Sequence, residues 1–179
     1  MSSKDESGFP YSVERFDKNK HKRLDFSCGA KRLNRYLKKQ ASQDLERKLA
    51  VTYALVEEDR PEVVGYYTLS HLSVSFNDLP LSVREKLPSY PEIPTTLIGC
   101  LAVDQEYQGR RLGEYLLLNA LVRSYERTKE VGSHSVVVDA NEDVRGFYLK
   151  YDFRPLPDQK RRLFLPMKKI EGILEIIKE

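Results

Sequence analysis

The chain has 179 residues, 40% hydrophobic and 32% charged, the size of one globular domain, which typically runs to roughly 100–200 residues. That leaves no room for a second catalytic domain, and the apolar share excludes wholesale disorder. No apolar run approaches the roughly 18 residues of a membrane-spanning helix, and the opening MSSKDESGFP lacks the apolar segment of a secretory signal. The expectation is a cytoplasmic protein with no membrane partner, in which Cys28 and Cys100 are reduced thiols.

Net charge is only +3, but from Glu14 to Lys48 twelve Lys or Arg stand against five Asp or Glu. Lys160, Arg161, Arg162, Lys168 and Lys169 form a second basic group. If the two converge they suit a polyanion; a solvated surface is the plainer alternative.

In chain order, residues 1–10 read as a disordered tail, 11–169 as the folded domain and 170–179 as a terminal helix. Tyr11 to Phe16 predicts an edge strand. Ala30, Leu33, Leu37, Ala41 and Leu45 recur at three- and four-residue steps and predict an amphipathic helix, with Lys31, Arg35, Lys38 and Lys39 on the opposite face. AVTYALVEE and VVGYYTLSHLSVSF predict two antiparallel strands joined through DRPE. Four prolines between Asn77 and Pro94 predict a loop carrying one short helix. TTLIGCLAVD predicts a buried strand, followed by a long helix from Leu112 with Gly132 as its C-terminal cap. SVVVDA reads as a fully covered strand, Asn141 opens a further helix and RLFLPMK closes the sheet. The class is α/β: a single-domain, mixed but largely antiparallel twisted sheet with helices on both faces.

The chemistry concentrates at the junction AVDQEYQGRRLGEYLL. A glycine-bearing turn opening a long helix presents several backbone N–H groups to an anion, and Gly109 and Gly113 permit close approach. Arg110 and Arg111 add positive charge beside the positive end of the helix. The plainer alternative is that Gly113 lets the helix pack closely and both arginines are solvated. The three histidines, His21, His71 and His134, lack a second ligand at metal-like spacing, so no metal is expected.

LAVDQEYQGRRLGEYLL, followed some thirty residues later by VVVDANEDVRGFYLKYDF, resembles the acetyl-coenzyme A blocks of the GNAT N-acetyltransferase superfamily. Gln108, Gly109, Arg110, Arg111, Leu112 and Gly113 align with the QxxGxG pattern, with Arg111 in place of its first glycine, and Asp152 replaces the glycine of the closing FYxxxGF block. FSCGAKRLNRYLKKQA and GYYTLSHLSV are further similar to the acetyltransferase toxins of bacterial type II toxin–antitoxin pairs, although Cys100 and Asp139 stand where Arg and His are frequent. The GNAT resemblance implies the sheet described above. It also implies transfer of an acetyl group from acetyl-CoA to a primary amine, and the toxin branch makes that amine the α-amino group of aminoacyl-tRNA.

By the same resemblance, the backbone of Leu101, Ala102 and Val103 aligns the acetyl and pantetheine portion, and the turn from Gln108 to Gly113 holds the pyrophosphate. Asn141 and Phe147 join the coenzyme site, and Tyr148 is catalytic, donating to the departing thiolate. Read from periodicity alone, Tyr148 is a core aromatic and Asn141 a helix cap, although Phe147 and Tyr151 are the better core candidates by spacing. No carboxylate lies within TTLIGCLAV, which leaves Asp139 as a base or a mechanism without one. An α-amine titrating near about 7.7–8.0 needs little help at neutral pH. The toxin branch also implies tRNA contacts from the basic first helix and from Arg15, Lys18, Lys20, Lys22 and Arg23 before it, a separately encoded antitoxin and a homodimer. The apolar run Ile170, Ile173, Leu174, Ile176 and Ile177 points to the dimer independently. Two alternatives remain: an acetyltransferase acting on peptide or protein N-termini or small amines, and a non-catalytic nucleic-acid-binding module that keeps the fold.

Overall fold

The computed structural model describes residues 8–178. The apolar runs become strands β1 (Tyr11–Arg15), β2 (Val51–Glu57), β3 (Val63–Ser75), β4 (Glu92–Val103), β5 (Ser135–Asp139), β6 (Arg154–Leu156) and β7 (Gln159–Pro166). They form one sheet in the order β1-β2-β3-β4-β5-β7-β6. Pairing is antiparallel for β1 with β2, β5 with β7 and β6 with β7, and parallel for β4 with β5. The helices are α1 (Lys31–Arg35), α2 (Ala41–Glu46), α3 (Leu81–Arg84), α4 (Leu112–Arg127), α5 (Glu142–Leu149) and α6 (Met167–Lys178). Two compact units divide the chain, one running through Tyr67 and including Cys100–Leu116, the other made of Thr68–Gly99 and the chain from Leu117 onward.

In the first unit, the predicted stripe on the basic helix is the buried one: Leu37 and Ala41 have no exposed surface, and Leu33 packs against the same core. Full burial of a leucine side chain contributes about 1.5–3 kcal/mol, which outweighs the helix's short and uncapped segments. Ala30 is exposed and stands at the N-cap, off the stripe. The helix is not uniform, because Tyr36–Gln40 forms a π-helical turn between α1 and α2. Across it the Tyr36 hydroxyl donates to Asp44 at 2.9 Å and its ring stacks on Tyr66 at 6.2 Å. Burial is the first cause that lifts the Tyr36 hydroxyl above its ordinary range, and the Asp44 carboxylate the next. Periodicity carries no mark of this wide turn, which depends on the Tyr66 ring brought in from β3. Cys28 is half-buried and Cys100 buried, both as free thiols.

In the second unit, β5 pairs with β4 on one side and β7 on the other, and Val136, Val137 and Val138 are at most 1% exposed. A strand covered on both faces has no polar face to alternate with, which is why SVVVDA reads as a continuous apolar run. The parallel ladder with β4 has four pairs and ends at Ile98↔Val138. Strand β6, three residues long and not expected from the sequence, pairs with β7 across an irregular register. Two prolines in the single word RPLP hid it. The predicted short helix is the single turn α3.

Three boundaries differ from expectation. α4 ends at Arg127, five residues before Gly132, whose φ is not left-handed, so Gly132 is a loop residue and not a cap. α6 starts at Met167, three residues early, because Met167 N–H donates to His134 O at 2.8 Å and Ile170 is buried in the core. Of the predicted tail, residues 1–7 lie outside the described residues, whereas Phe9 packs against Tyr11 and Tyr115.

α5 closes with a two-bond C-terminal motif: Phe153 N–H donates to Tyr148 O and Asp152 N–H to Leu149 O, at 3.3 and 3.2 Å. That motif requires a left-handed residue at its penultimate position, and Asp152 supplies it at φ 66°. Asp tolerates this region better than most residues, and a β-branched one does not. Asp152→Gly is therefore expected to be neutral or stabilising by up to about 1 kcal/mol in urea denaturation. Asp152→Val is expected to cost about 1–2 kcal/mol in the same measurement.

A second prediction concerns His134, which precedes β5 with Nδ1 2.6 Å from Ser135 Oγ. Burial pushes its imidazole below the ordinary value. The unfolded chain takes up this proton below about pH 6.5, while the folded chain stays neutral to lower pH. The contribution is therefore complete above about pH 6.5 and is lost as pH falls through the folded value. His134→Gln should flatten the acid-side fall in stability that begins below about pH 6.5, followed by thermal denaturation at stepped pH.

Candidate functional site

In the first unit, β4 gives way to α4 through Asp104–Arg111. Asp104 accepts from Glu106 N–H at 3.0 Å, capping the short 3₁₀ turn Gln105–Tyr107, and from Ser27 N–H at 2.9 Å. Gln105 N–H returns a bond to Ser27 O at 2.8 Å. Gln108 spends its side-chain amide within the protein, donating to Val103 O at 2.9 Å and Cys28 O at 3.2 Å. Cys28 N–H in turn donates to Asn34 Oδ1 at 2.8 Å. These bonds staple the FSCG segment before α1 to the turn after β4, across about eighty residues of sequence. Ser27, Asn34 and Asp104 were not singled out from the sequence; Asp104, directly after a strand and two residues before a free amide, carried the one readable signal of a turn cap.

The turn itself contains two left-handed residues, Gly109 at φ 81° and Arg111 at φ 61°. A glycine at the Arg111 position would adopt this conformation without steric cost, which is the physical content of the departure from QxxGxG. A Cβ built on Gly109 would meet nothing within 4 Å, so space is open on that side of the turn. Leu112 begins the 16-residue α4 and is 2% exposed, with Gly113 beside it half-buried. The first amides of a helix have no intrahelical acceptor and lie at its positive end, so the arrangement fits an anion such as a pyrophosphate. The arginine side chains are already engaged: Arg111 bonds Glu114 through Nε and Nη2 at 2.9 and 2.8 Å, and Arg110 bonds Tyr11 and Glu106 O. On β4, Ala102 faces the core, whereas Leu101 and Val103 alternate onto the other face and are half-buried.

In the second unit, Asn141 is the N-cap of α5, accepting from Val144 N–H at 3.3 Å. Tyr148 is 8% exposed, edge-on to Phe147 at 5.2 Å and to Phe153 at 5.5 Å. Spacing had favoured Phe147 and Tyr151 as the inward aromatics, but both are half-buried and Tyr148 is the buried one. Helical periodicity over eight residues leaves too wide a choice of face, and the tight C-terminal motif turns Tyr148 inward. Asp139 holds Arg162 through both carboxylate oxygens at 2.8 and 2.9 Å, and that bond raises the guanidinium's already high value. A base role for Asp139 would break a bidentate pair.

The basic residues divide into two sets. Lys18, Lys20 and Lys22, expected to face a polyanion, pair with Glu46, Glu14 and Glu62. Arg23 lies over the Phe16 ring at 5.2 Å. Lys31, Arg32, Arg35 and Lys39 are exposed and form no ion pair among the described residues. Of the C-terminal group, Arg162 is the one held by a carboxylate.

Comparison with known proteins adds the family. Residues 50–155 match the Acetyltransferase (GNAT) domain. A tRNA-acetylating toxin of Mycobacterium tuberculosis (strain ATCC 25618 / H37Rv) is 33% identical over 150 residues, covering 83% of this chain and 88% of the relative. Among solved structures, AtaT complexed with acetyl-methionyl-tRNAfMet superposes with a TM-score of 0.84 at 30% identity, covering 92% of this chain and 99% of that one. A mutant AtaT toxin bound to the C-terminus of the antitoxin AtaR and acetyl-CoA gives 0.78 at 26% identity, covering 92% and 98%. The domain match spans more than half of the chain, and on that ground the protein belongs to the GNAT acetyltransferase family.

Proposed function

We propose that this protein transfers an acetyl group from acetyl-CoA to the α-amino group of an aminoacyl-tRNA, as the toxin of a toxin–antitoxin pair acting in the cytoplasm. The observation that carries this reading is the 92% coverage at 30% identity by a relative solved with acetyl-methionyl-tRNAfMet. The open, left-handed turn at the head of α4 supports the coenzyme half of it, because the amides there match a pyrophosphate in chemistry and in space. The unpaired stripe Lys31, Arg32, Arg35 and Lys39 supports the polyanion half, since phosphate contacts need cations that are not already neutralised.

Acetyl-CoA supplies the thioester whose acyl carbon the amine attacks. Around it, the N–H groups from Gly109 to Gly113 hold the pyrophosphate, and Leu101 and Val103 orient the pantetheine along β4. Gln108 acts through the backbone it staples, and Asn141 and Phe147 hold α5 and Tyr148 in register. Tyr148 offers a phenolic O–H, a donor that stabilises the departing sulfur by a hydrogen bond. The substrate's own α-amine, near about 7.7–8.0, is neutral in roughly a tenth of the molecules at pH 7; that fraction attacks the thioester carbon, and its nitrogen passes a proton to solvent as the thiolate leaves. This base-free route agrees with Asp139 being tied to Arg162.

Label from acetyl-CoA is expected on charged but not on uncharged tRNA. Tyr148→Phe should lower the rate roughly 10²-fold, the lower end of what a positioned acid supplies, without comparable loss of coenzyme affinity. Bound coenzyme with no label on charged tRNA would redirect the activity to peptide N-termini or small amines. The exposed Ile176 and Ile177 on α6, 74% and 66% accessible, support a homodimer through that helix. Light scattering should give twice the chain mass, falling to the monomer mass in Ile177→Lys.

A further inference from the structure

Arg110 lies between the two left-handed residues of the turn, Gly109 and Arg111. Because Arg111 is not glycine, the turn is not the conformation this stretch of chain would prefer alone, and something must hold it. The Arg110 guanidinium is exposed yet engaged by the protein: Nη1 donates to the Tyr11 hydroxyl at 3.2 Å, Nη2 to Glu106 O at 3.3 Å, and its central carbon lies 4.9 Å from the centre of the Tyr107 ring. Tyr107 is itself anchored, with its hydroxyl donating to Glu57 of β2 at 3.3 Å and its ring edge-on to Tyr11 at 6.3 Å. Phe9, two residues before Tyr11, packs on Tyr11 at 5.3 Å and on Tyr115 in the first turn of α4 at 4.8 Å. The segment that leads into β1 therefore touches the turn on both sides, at Arg110 and at Tyr115.

We propose that Arg110 is a positioning residue. Locked by Tyr11 and Tyr107, it braces the Gln108–Gly113 turn in its anion-binding shape, and the segment Phe9–Tyr11 is the strut. This departs from the expectation that Arg110 meets the coenzyme's phosphates directly. The guanidinium has five N–H donors in a rigid fork and an aromatic-seeking face, and here the face and two of the donors are taken by the protein. The proposal rests on reading the turn as the phosphate cradle, but the brace itself is a property of the free protein.

Two arms test it. The first is amide hydrogen exchange, without coenzyme, at Tyr107 and Tyr115, whose N–H groups bond Asp104 O and Arg111 O. Tyr11→Phe removes one hydroxyl, and Arg110→Gln removes the fork. Each should speed exchange at both amides several-fold, and the double variant should add little to Arg110→Gln alone. Unchanged exchange in both variants overturns the brace, whatever the protein binds. The second arm is calorimetric titration with acetyl-CoA and with its 3′-dephospho form. Tyr11→Phe and Arg110→Gln should weaken both ligands by the same factor, about three- to tenfold, and in turnover the change should fall on KM for acetyl-CoA rather than on kcat. If only Arg110→Gln weakens binding, and only for the ligand carrying the 3′-phosphate, Arg110 is a phosphate ligand and the proposal fails. A wild-type protein that gives no heat with acetyl-CoA would overturn the coenzyme reading, while the exchange arm still decides the brace.

Discussion

The turn between β4 and α4 has to convert an extended strand into a helix, and the first amides of that helix have no intrahelical partner. The turn therefore resists burial, because unpaired amides are costly to bury. Its shape must then be imposed from outside, and most of the local structure in the first unit is arranged around that need. Asp104 closes the strand end, Gln108 ties the turn back to Val103 and Cys28, and Arg110 anchors it to Tyr107 and Tyr11. The anchoring side chains come from the turn itself; some of their partners, Val103 and Tyr107, are close in sequence, and others, Cys28 and Tyr11, come from distant parts of the chain.

One consequence is that the FSCG segment and the coenzyme turn form a single hydrogen-bonded piece. Ser27 N–H donates to the Asp104 carboxylate and Ser27 O accepts from Gln105 N–H, between neighbours in space that are far apart in sequence, and Asn34 carries the connection into α1. Helix α1, whose Lys31, Arg32 and Arg35 are exposed, is thus fastened through Asn34 to the turn after β4.

The two departures from the family's glycine pattern have a common physical meaning. Arg111 and Asp152 both adopt positive φ, the conformation for which glycine is the economical choice. Asp152 is held there by a C-terminal motif that also turns Tyr148 inward, and Arg111 stands beside the side-chain anchors of the turn. The backbone shape is kept in both places although the residue that makes it easy is gone. Charge follows similar logic: Lys18, Lys20 and Lys22 are neutralised by nearby carboxylates, and the exposed cations of α1 and the π turn are not.

Much was readable from the sequence because it rests on local physics. The continuous apolar run of β5, the core stripe through Leu37 and Ala41, the proline-punctuated loop and the anion-binding turn after β4 each follow from side-chain period or backbone preference. The GNAT family was legible for that reason, together with the spacing of two motif blocks. What only the tertiary structure decided is where side chains end when several partners compete for them. The sequence left Arg110 and Arg111 as phosphate contacts or solvated charges, Asp139 as a base or no base at all, and Asn141 as a coenzyme contact or a helix cap. Folding gives Arg110 to Tyr11 and Tyr107, Arg111 to Glu114, Asp139 to Arg162 and Asn141 to a helix cap. The stack of Tyr36 on Tyr66 at the π turn likewise depends on a neighbour from a remote part of the chain, whereas strand β6 pairs with the adjacent β7 and Tyr148 packs beside Phe147 and Phe153. A hydrogen bond or ring contact between residues far apart leaves no period in the sequence, because its partner is chosen by the fold and not by the spacing.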